Sequence, residues 1–425
     1  MKKLLLLALA MSTSSAVFST EYIVKFKKGS MEPFMSQKSL DLDIKDIGVT
    51  FGEFGLLKSD DKSTLSSLME DSRIEYVEEN QTWTIDPIIS GEALSEVPSD
   101  NMYSQQWGLN NTGKNSGSFT AKAGEDINAE DAWPITKGHE KLRIAVIDTG
   151  IDWKHPDLKE NMWVNEAEKN GKEGVDDDGN GFIDDIHGYD FANDDGDPTD
   201  GHGHGTHCAG VIGASHNGKG VAGVLDKVNL IGIKFLTDRG SGTTVNAIKS
   251  IEYAIKVKAH VMSNSWGGGG FSQALKDAIV AAKEKGIIFV AAAGNSRSNN
   301  DSRATYPANY DVSNVISVGS MDSDGKKSSF SNYGAKTVHV FAPGRDILST
   351  VTNGKYRKMS GTSMATPFVS GIVGMALAAD GPTDKNKGTM RKRMVLTSKK
   401  TDLLNQYSVS AGRVDAYRAL EKITK

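Results

Sequence analysis

The sequence predicts an α/β fold: one long domain on a mainly parallel sheet, preceded by a small β-α-β-β-α-β unit. Two uninterrupted apolar runs, Ile144-Ala145-Val146-Ile147 and Ile287-Ile288-Phe289-Val290-Ala291-Ala292-Ala293, have the pattern of strands covered on both faces. Segments of helical period, such as Val245 to Lys256, lie between runs of this kind. The small unit is read from alternation. Glu21-Tyr22-Ile23-Val24-Lys25-Phe26-Lys27 is a strand, followed by a weak helical pattern and a hairpin around Gly48 to Leu57. A helix over Ser63 to Asp71 and a strand over Arg73 to Glu79 complete it. About sixty residues barely build a core alone, so this unit is expected to lean on a partner surface.

Taken in order, Lys2-Lys3, the apolar run Leu4 to Met11 and the small residues through Ser19 have the layout of a secretory signal peptide over 1–19, cut near Ala16 or Ser19. The run is too short to span a bilayer, and no membrane anchor is expected later. Residues 20–83 form the small unit and 84–100 a polar, turn-rich linker; 101–425 form the large domain. The net charge of -5 over 425 residues points to no nucleic-acid partner. Cys208 is the only cysteine, so an exported fold must be stabilised without an internal disulfide.

The run ending at Ile147 delivers Asp148-Thr149-Gly150 to the carboxyl edge of the sheet, where open α/β folds build sites. Residues 174–200 then hold ten aspartates and no Lys or Arg, a density that self-repels without a cation. Asp176-Asp177-Asp178-Gly179-Asn180-Gly181-Phe182-Ile183-Asp184 reproduces most of a calcium loop. Oxygen donors Asp176, Asp178, Asn180 and Asp184 fall at positions 1, 3, 5 and 9, with the turn glycine at 6. Position 12 is His187 rather than a bidentate Glu, which excludes a helix-loop-helix sensor. A structural Ca2+ is expected, and no organic cofactor; the bland alternative is a solvated acidic loop.

Gly201-His202-Gly203-His204-Gly205-Thr206-His207-Cys208-Ala209-Gly210 admits two chemistries. His-x-His-x-x-His approaches a binuclear zinc hydrolase pattern, although Thr206 stands where that pattern needs an Asp ligand. Alternatively, one histidine at the start of the helix His204 to Ser215 is a general base and the others are structural. Further strands over Val228 to Phe235 and His260 to Asn264 lead to Gly240-Ser241-Gly242 and Ser265-Trp266-Gly267. Such side-chain-poor segments let an extended peptide add as a strand, and plain turns are the alternative. Asn295 reaches the same sheet edge as Asp148, with an amide able to meet an oxyanion. Finally, Gly361-Thr362-Ser363-Met364-Ala365-Thr366-Pro367 sets one serine at the start of an apolar helix. There, unpaired N–H groups and the helix dipole favour developing negative charge. An ordinary serine cap is the alternative.

Asp148, His204 and Ser363 form an acid, base and nucleophile set in that order, 56 and 159 residues apart. Ser-first α/β hydrolases are excluded by the order, and Ala365 breaks their Gly-x-Ser-x-Gly elbow. At this point the chain resembles the subtilisin-like serine proteases (subtilases), among them the thermitase and proteinase K-like members. The resemblance rests on Ile147-Asp148-Thr149-Gly150, His204-Gly205-Thr206-His207-Cys208-Ala209-Gly210, Ala292-Ala293-Gly294-Asn295 and Gly361 to Pro367, in register.

The resemblance implies a three-layer domain with a seven-stranded sheet, and an N-terminal ferredoxin-like propeptide acting as intramolecular inhibitor and chaperone. It implies a secreted, monomeric serine endopeptidase, made as a self-processing precursor with its maturation site in 84–100 and acting on polypeptide substrates. Catalytic roles fall to Asp148, His204, Ser363 and Asn295. Gly240, Ser241, Gly242, Ser265, Trp266 and Gly267 flank the substrate backbone. Thr305, in Ala304-Thr305-Tyr306-Pro307, lies near the base of a primary pocket of apolar preference. Asp157 matches a second calcium ligand position, and Gly412 to Ala416 resembles the usual end of the catalytic domain, so no further C-terminal domain is expected.

Overall fold

The computed structural model describes residues 19–37, 42–87, 89–94, 102–114, 120–381 and 389–421. The signal-peptide reading therefore falls outside the described residues except for Ser19, as does the linker at 88 and 95–100. Two compact units divide the chain, one of the residues up to Ile47 with Gly52–Asn80, the other of Gly48–Phe51 with the residues from Gln81 onward.

The first unit runs β1 (Glu21–Phe26), α1 (Met31–Met35), β2 (Ile44–Asp46), β3 (Glu53–Lys58), α2 (Lys62–Glu70) and β4 (Ile74–Glu79). Its sheet has the order β2-β3-β1-β4, with every neighbour antiparallel. The alternation read in β1 places Val24 and Phe26 in a small core with Phe34, Ile44, Leu57, Leu68 and Ile74. Asp61 caps α2, its carboxylate accepting the Ser63 and Thr64 N–H groups.

The second unit begins with β5 (Thr82–Thr84), β6 (Ile89–Leu94), α3 (Ala129–Ala132), β7 (Gly138–Asp148), α4 (Glu166–Asn170), β8 (Gly188–Asp190) and α5 (His204–Gly213). It continues with β9 (Lys227–Lys234), β10 (Ser241–Thr243), α6 (Thr244–Lys256), β11 (Val261–Asn264), α7 (Gln273–Glu284), β12 (Ile288–Ala292), β13 (Val315–Met321) and β14 (Val340–Pro343). The last elements are β15 (Ile347–Val351), β16 (Lys355–Ser360), α8 (Thr362–Asp380), α9 (Met390–Thr397), β17 (Lys399–Lys400), β18 (Gly412–Arg413) and α10 (Ala416–Ala419).

The central sheet has the order β17-β18-β14-β13-β12-β11-β7-β9-β8, all parallel except for the β17–β18 pair. Among the described residues this sheet has nine strands, where seven were expected. From β14 to β8 seven run in unbroken parallel order, and the additions are two-residue strands at one edge. These were invisible because two residues carry no period. Residues 82–84 and 89–94, at and beyond the expected start of the linker, are strands that pair within the larger unit.

Register fixes the functional edge. Asn264 at the end of β11 stands beside Ile147 of β7 and Ala291 of β12, so Asp148 and the Gly294–Asn295 turn emerge together. Helices α5 and α8 pack on the sheet and on each other, and α6 and α7 form a second pair. By length and composition α8 could cross a membrane, but 89% of its apolar window is buried in the fold, where it is the central core helix. Phe289, fully buried in β12, tests this core. Phe289→Ala in an inactive Ser363→Ala background is expected to cost about 3–5 kcal/mol in urea unfolding.

Candidate active site

Asp148 closes β7 fully buried, and its Oδ1 accepts the His204 Nδ1 proton at 2.7 Å and the Thr149 N–H at 2.7 Å. His204 is the first residue of α5, and its buried Nε2 has no hydrogen-bond partner among the described residues. That nitrogen is therefore the one free to take a proton. Ser363 is the second residue of α8; its Oγ donates to the Ser265 carbonyl at 3.1 Å rather than to His204. Thus the acid and base are bonded, while the serine hydroxyl is turned to a wall of the cleft.

Pro367 explains part of this local geometry. It lies inside α8 and has no N–H, so the carbonyl four residues earlier, that of Ser363, loses its helical partner. The Ser265 hydroxyl donates to that carbonyl at 2.9 Å and Cys208 Sγ at 3.5 Å. The bonds of Ser265 thus tie the wall to the helix start.

Asn295 is oriented by Thr362, whose N–H and Oγ1–H donate to its Oδ1 at 2.8 and 2.9 Å. With Oδ1 fixed as acceptor, the NH2 group faces the cleft. Thr305 lies beside Gly294 and bonds to Asn300 and Asn332 through its hydroxyl at 3.2 and 3.3 Å.

The cleft holds a segment of this chain. Strand β5 pairs antiparallel with β10, matching Thr82, Trp83 and Thr84 to Thr243, Gly242 and Ser241. On its other side Thr84 exchanges two 3.1 Å bonds with Gly267, and the Ile85 N–H donates to the Gly240 carbonyl at 3.0 Å. Trp83 is fully buried, edge-on to Trp266 with ring centres 5.5 Å apart, and its indole N–H donates to Thr244 at 2.8 Å. Gly269 is required here, since a Cβ would lie 2.8 Å from the Trp83 ring. Beyond Ile85, the Asp86 carboxylate accepts the Asn295 backbone N–H at 3.0 Å. The Pro87 carbonyl accepts from Asn295 Nδ2 at 3.3 Å.

The remaining histidines do not gather as a binuclear zinc site. His207 Nε2 is held by the Ile347 and Arg357 carbonyls, and burial drives its pKa to about 3. Within the acidic loop, ligand atoms of Glu168, Asp176 and Asp178 lie within 4.8 Å of one another. Two other residues expected as ligands, Asp184 and Asn180, hydrogen-bond beside this trio. Asp184 accepts the Gly174 N–H at 2.9 Å, outside that trio, and Asn180 donates its amide to Asp178 and Asp185. Asp157 is fully buried. Its carboxylate accepts from Asn217, Val221 and Tyr356, which makes it an anchor for the 217–221 loop.

The residues from 139 to 412 match the model of the Subtilase family. The chain belongs to the subtilase family. It is 33% identical over 411 residues to a thermophilic serine proteinase of Bacillus sp. (strain AK1), covering 94% of this chain and 87% of that one. Thermitase of Thermoactinomyces vulgaris is 37% identical over 298 residues, 70% of this chain and 94% of thermitase. Subtilisin-like protease 1 of Plasmodium berghei (strain Anka) is 38% identical over 263 residues, 57% of this chain and 44% of that protein. Membership of this family makes the chain a serine-type endopeptidase acting on polypeptides.

Two residues of this subtilase were not singled out from sequence. Asp200, buried, accepts from Thr149 Oγ1, the His202, Gly203 and Thr206 N–H groups and Thr206 Oγ1, at 2.7–2.9 Å. It joins the turn after Asp148 to the first turn of the His204 helix. An Asp four residues before a helix start was the available signal, hidden among nine other aspartates. Glu168 comes from α4, eight residues before the calcium-like motif, so no motif spacing announces it.

Burial disfavours the charged form of His204, but the charge and hydrogen bond of Asp148 outweigh it and raise its pKa above the ordinary value. His204 can act as a base only when neutral, so activity is expected to fall as pH drops through its raised pKa. Asp148→Asn is expected to lower kcat roughly 10^4-fold and move that pKa down, read from kcat/KM against pH.

Proposed function

We propose that this subtilase is a secreted endopeptidase that cuts peptide bonds through an Asp148–His204–Ser363 triad and is made as a self-processing, calcium-stabilised precursor. The observation that carries this reading is the extended segment Thr82 to Pro87, paired as a strand with both cleft walls, with a carbonyl on the Asn295 amide. An extended polypeptide is what such a cleft accepts.

In this mechanism Asp148 holds the His204 tautomer and stabilises the imidazolium. His204 takes the Ser363 proton through Nε2 and returns it to the leaving amine. Attack requires the Ser363 hydroxyl to turn from the Ser265 carbonyl to His204. The oxyanion is met by the Asn295 amide and the Ser363 backbone N–H, a side-chain donor of this kind being worth about 3 kcal/mol of barrier. Gly240 to Gly242 and Ser265 to Gly267 bind the substrate main chain, Trp266 contributes an aromatic wall, and Thr305 lies at an apolar primary pocket.

Residues 20–83 act as intramolecular inhibitor and chaperone, with the following residues occupying the cleft until they are cut. Glu168, Asp176 and Asp178 hold calcium: the donor set is three carboxylates, the chemistry a hard cation selects. Their oxygens already accept backbone N–H groups, yet a carboxylate has further lone pairs for a cation. Calcium there is structural and takes no part in the reaction.

Two outcomes check this reading. Purified Ser363→Ala is expected to lose casein hydrolysis and accumulate uncut, and equal hydrolysis by mutant and wild type rejects it. Removing calcium from inactive Ser363→Ala with EGTA is expected to lower Tm by several degrees, with recovery on adding Ca2+ and a smaller change in Glu168→Gln.

A further inference from the structure

Strands β5 and β6 anchor the chain before and after residue 88 in sequence, and their pairings narrow where the chain can cut itself. On one side Thr84 is paired with Gly267 and Ile85 with the Gly240 carbonyl. On the other side Ile89 is paired with Ser360, three residues before Ser363, as β6 runs antiparallel to β16. Only three residues, 86 to 88, separate the anchored Ile85 and Ile89.

Within that span the polar groups are not equivalent. Asp86 meets the cleft with its side chain, whose Oδ2 takes the Asn295 backbone N–H at 3.0 Å. Pro87 meets it with its main chain, whose carbonyl oxygen lies 3.3 Å from Asn295 Nδ2. A carbonyl becomes an oxyanion only when its own carbon is attacked, so the amide that serves the oxyanion selects the carbonyl it faces. That carbonyl belongs to Pro87, and the bond on its C-terminal side leads to Ile88.

We propose that the first self-cut of the precursor falls between Pro87 and Ile88. This rests on the protease reading above and specifies where that activity first turns on its own chain. Ser363 Oγ adds to the Pro87 carbonyl carbon while its proton passes to His204 Nε2. The C–N bond to Ile88 then breaks, and that proton goes to the Ile88 amine. Water hydrolyses the remaining ester, leaving the Pro87 carboxylate and restoring the Ser363 hydroxyl. The Asp86–Pro87 bond is the less suitable alternative, since the Asn295 amide faces the next carbonyl.

The test is a time course on the full chain. Wild type and Ser363→Ala are refolded from denaturant side by side, quenched with acid, and read by intact mass and N-terminal sequencing. The expected first products of wild type are a fragment ending at Pro87 and one beginning at Ile88, with Ser363→Ala uncut. Asn295→Ala is expected to give the same pair about 100-fold more slowly. A first cut at another bond in wild type, with Ser363→Ala still uncut, overturns the site and leaves the protease reading standing. Equal cutting of Ser363→Ala at this bond overturns both.

Discussion

The hydrogen bond from His204 Nδ1 to Asp148 Oδ1, 2.7 Å long and sealed from water, sets the terms for the rest of the catalytic edge. It needs a strand and a helix start to meet within a few tenths of an ångström, from positions 56 residues apart. The parallel sheet supplies the first constraint, by bringing the ends of β7, β11 and β12 to one edge. Asp200 supplies the second, because one carboxylate bonds both to the turn that carries Asp148 and to the helix that carries His204. Lys234, also buried, donates to the Thr149 carbonyl and pins that turn from the other side. The edge is thus held by charge-assisted bonds to backbone, which tolerate little rotation.

Much of this was legible in the amino-acid sequence, for physical reasons. Buried parallel strands announce themselves as unbroken apolar runs, and β7 and β12 were found that way, to within one residue at their inner ends. Catalytic side chains sit where strands and helices end, and such ends carry Gly, Asp, Ser and Thr in recognisable order. What escaped were contacts between distant segments. The trio Glu168, Asp176 and Asp178 draws one member from a separate helix, and the Asn180 and Asp184 expected from the loop turn to other partners. Asp157 shows the same limit, since a carboxylate is placed by position while its donors come from residues 60 to 199 away.

The segment after the small unit shows the opposite error. Thr82-Trp83-Thr84-Ile85 alternates polar and apolar residues as a half-buried strand does, yet it straddles position 83, where the small unit was read to end and a turn-rich linker to begin. A lone strand of three residues has little intrinsic preference for that state. It forms because β10 and Gly267 offer unpaired backbone groups on either side, and because Trp83 fills a space walled by Trp266 and Gly269. Edge pairing of this kind reads main chain rather than side chains. The groups that pair with Thr82 to Ile85 are therefore occupied, and another polypeptide can pair with them only once this segment has left.

Helix α8 has a dual character, as the deepest apolar element and as the bearer of Ser363. Catalytic groups on surface loops can fluctuate independently of the core that supports them. Here the nucleophile has no such freedom, because moving the helix start disturbs packing against five strands of the sheet. Local breathing at the nucleophile is thereby coupled to global cooperativity. The position of Ser363 is thus held by the same packing that holds the domain together.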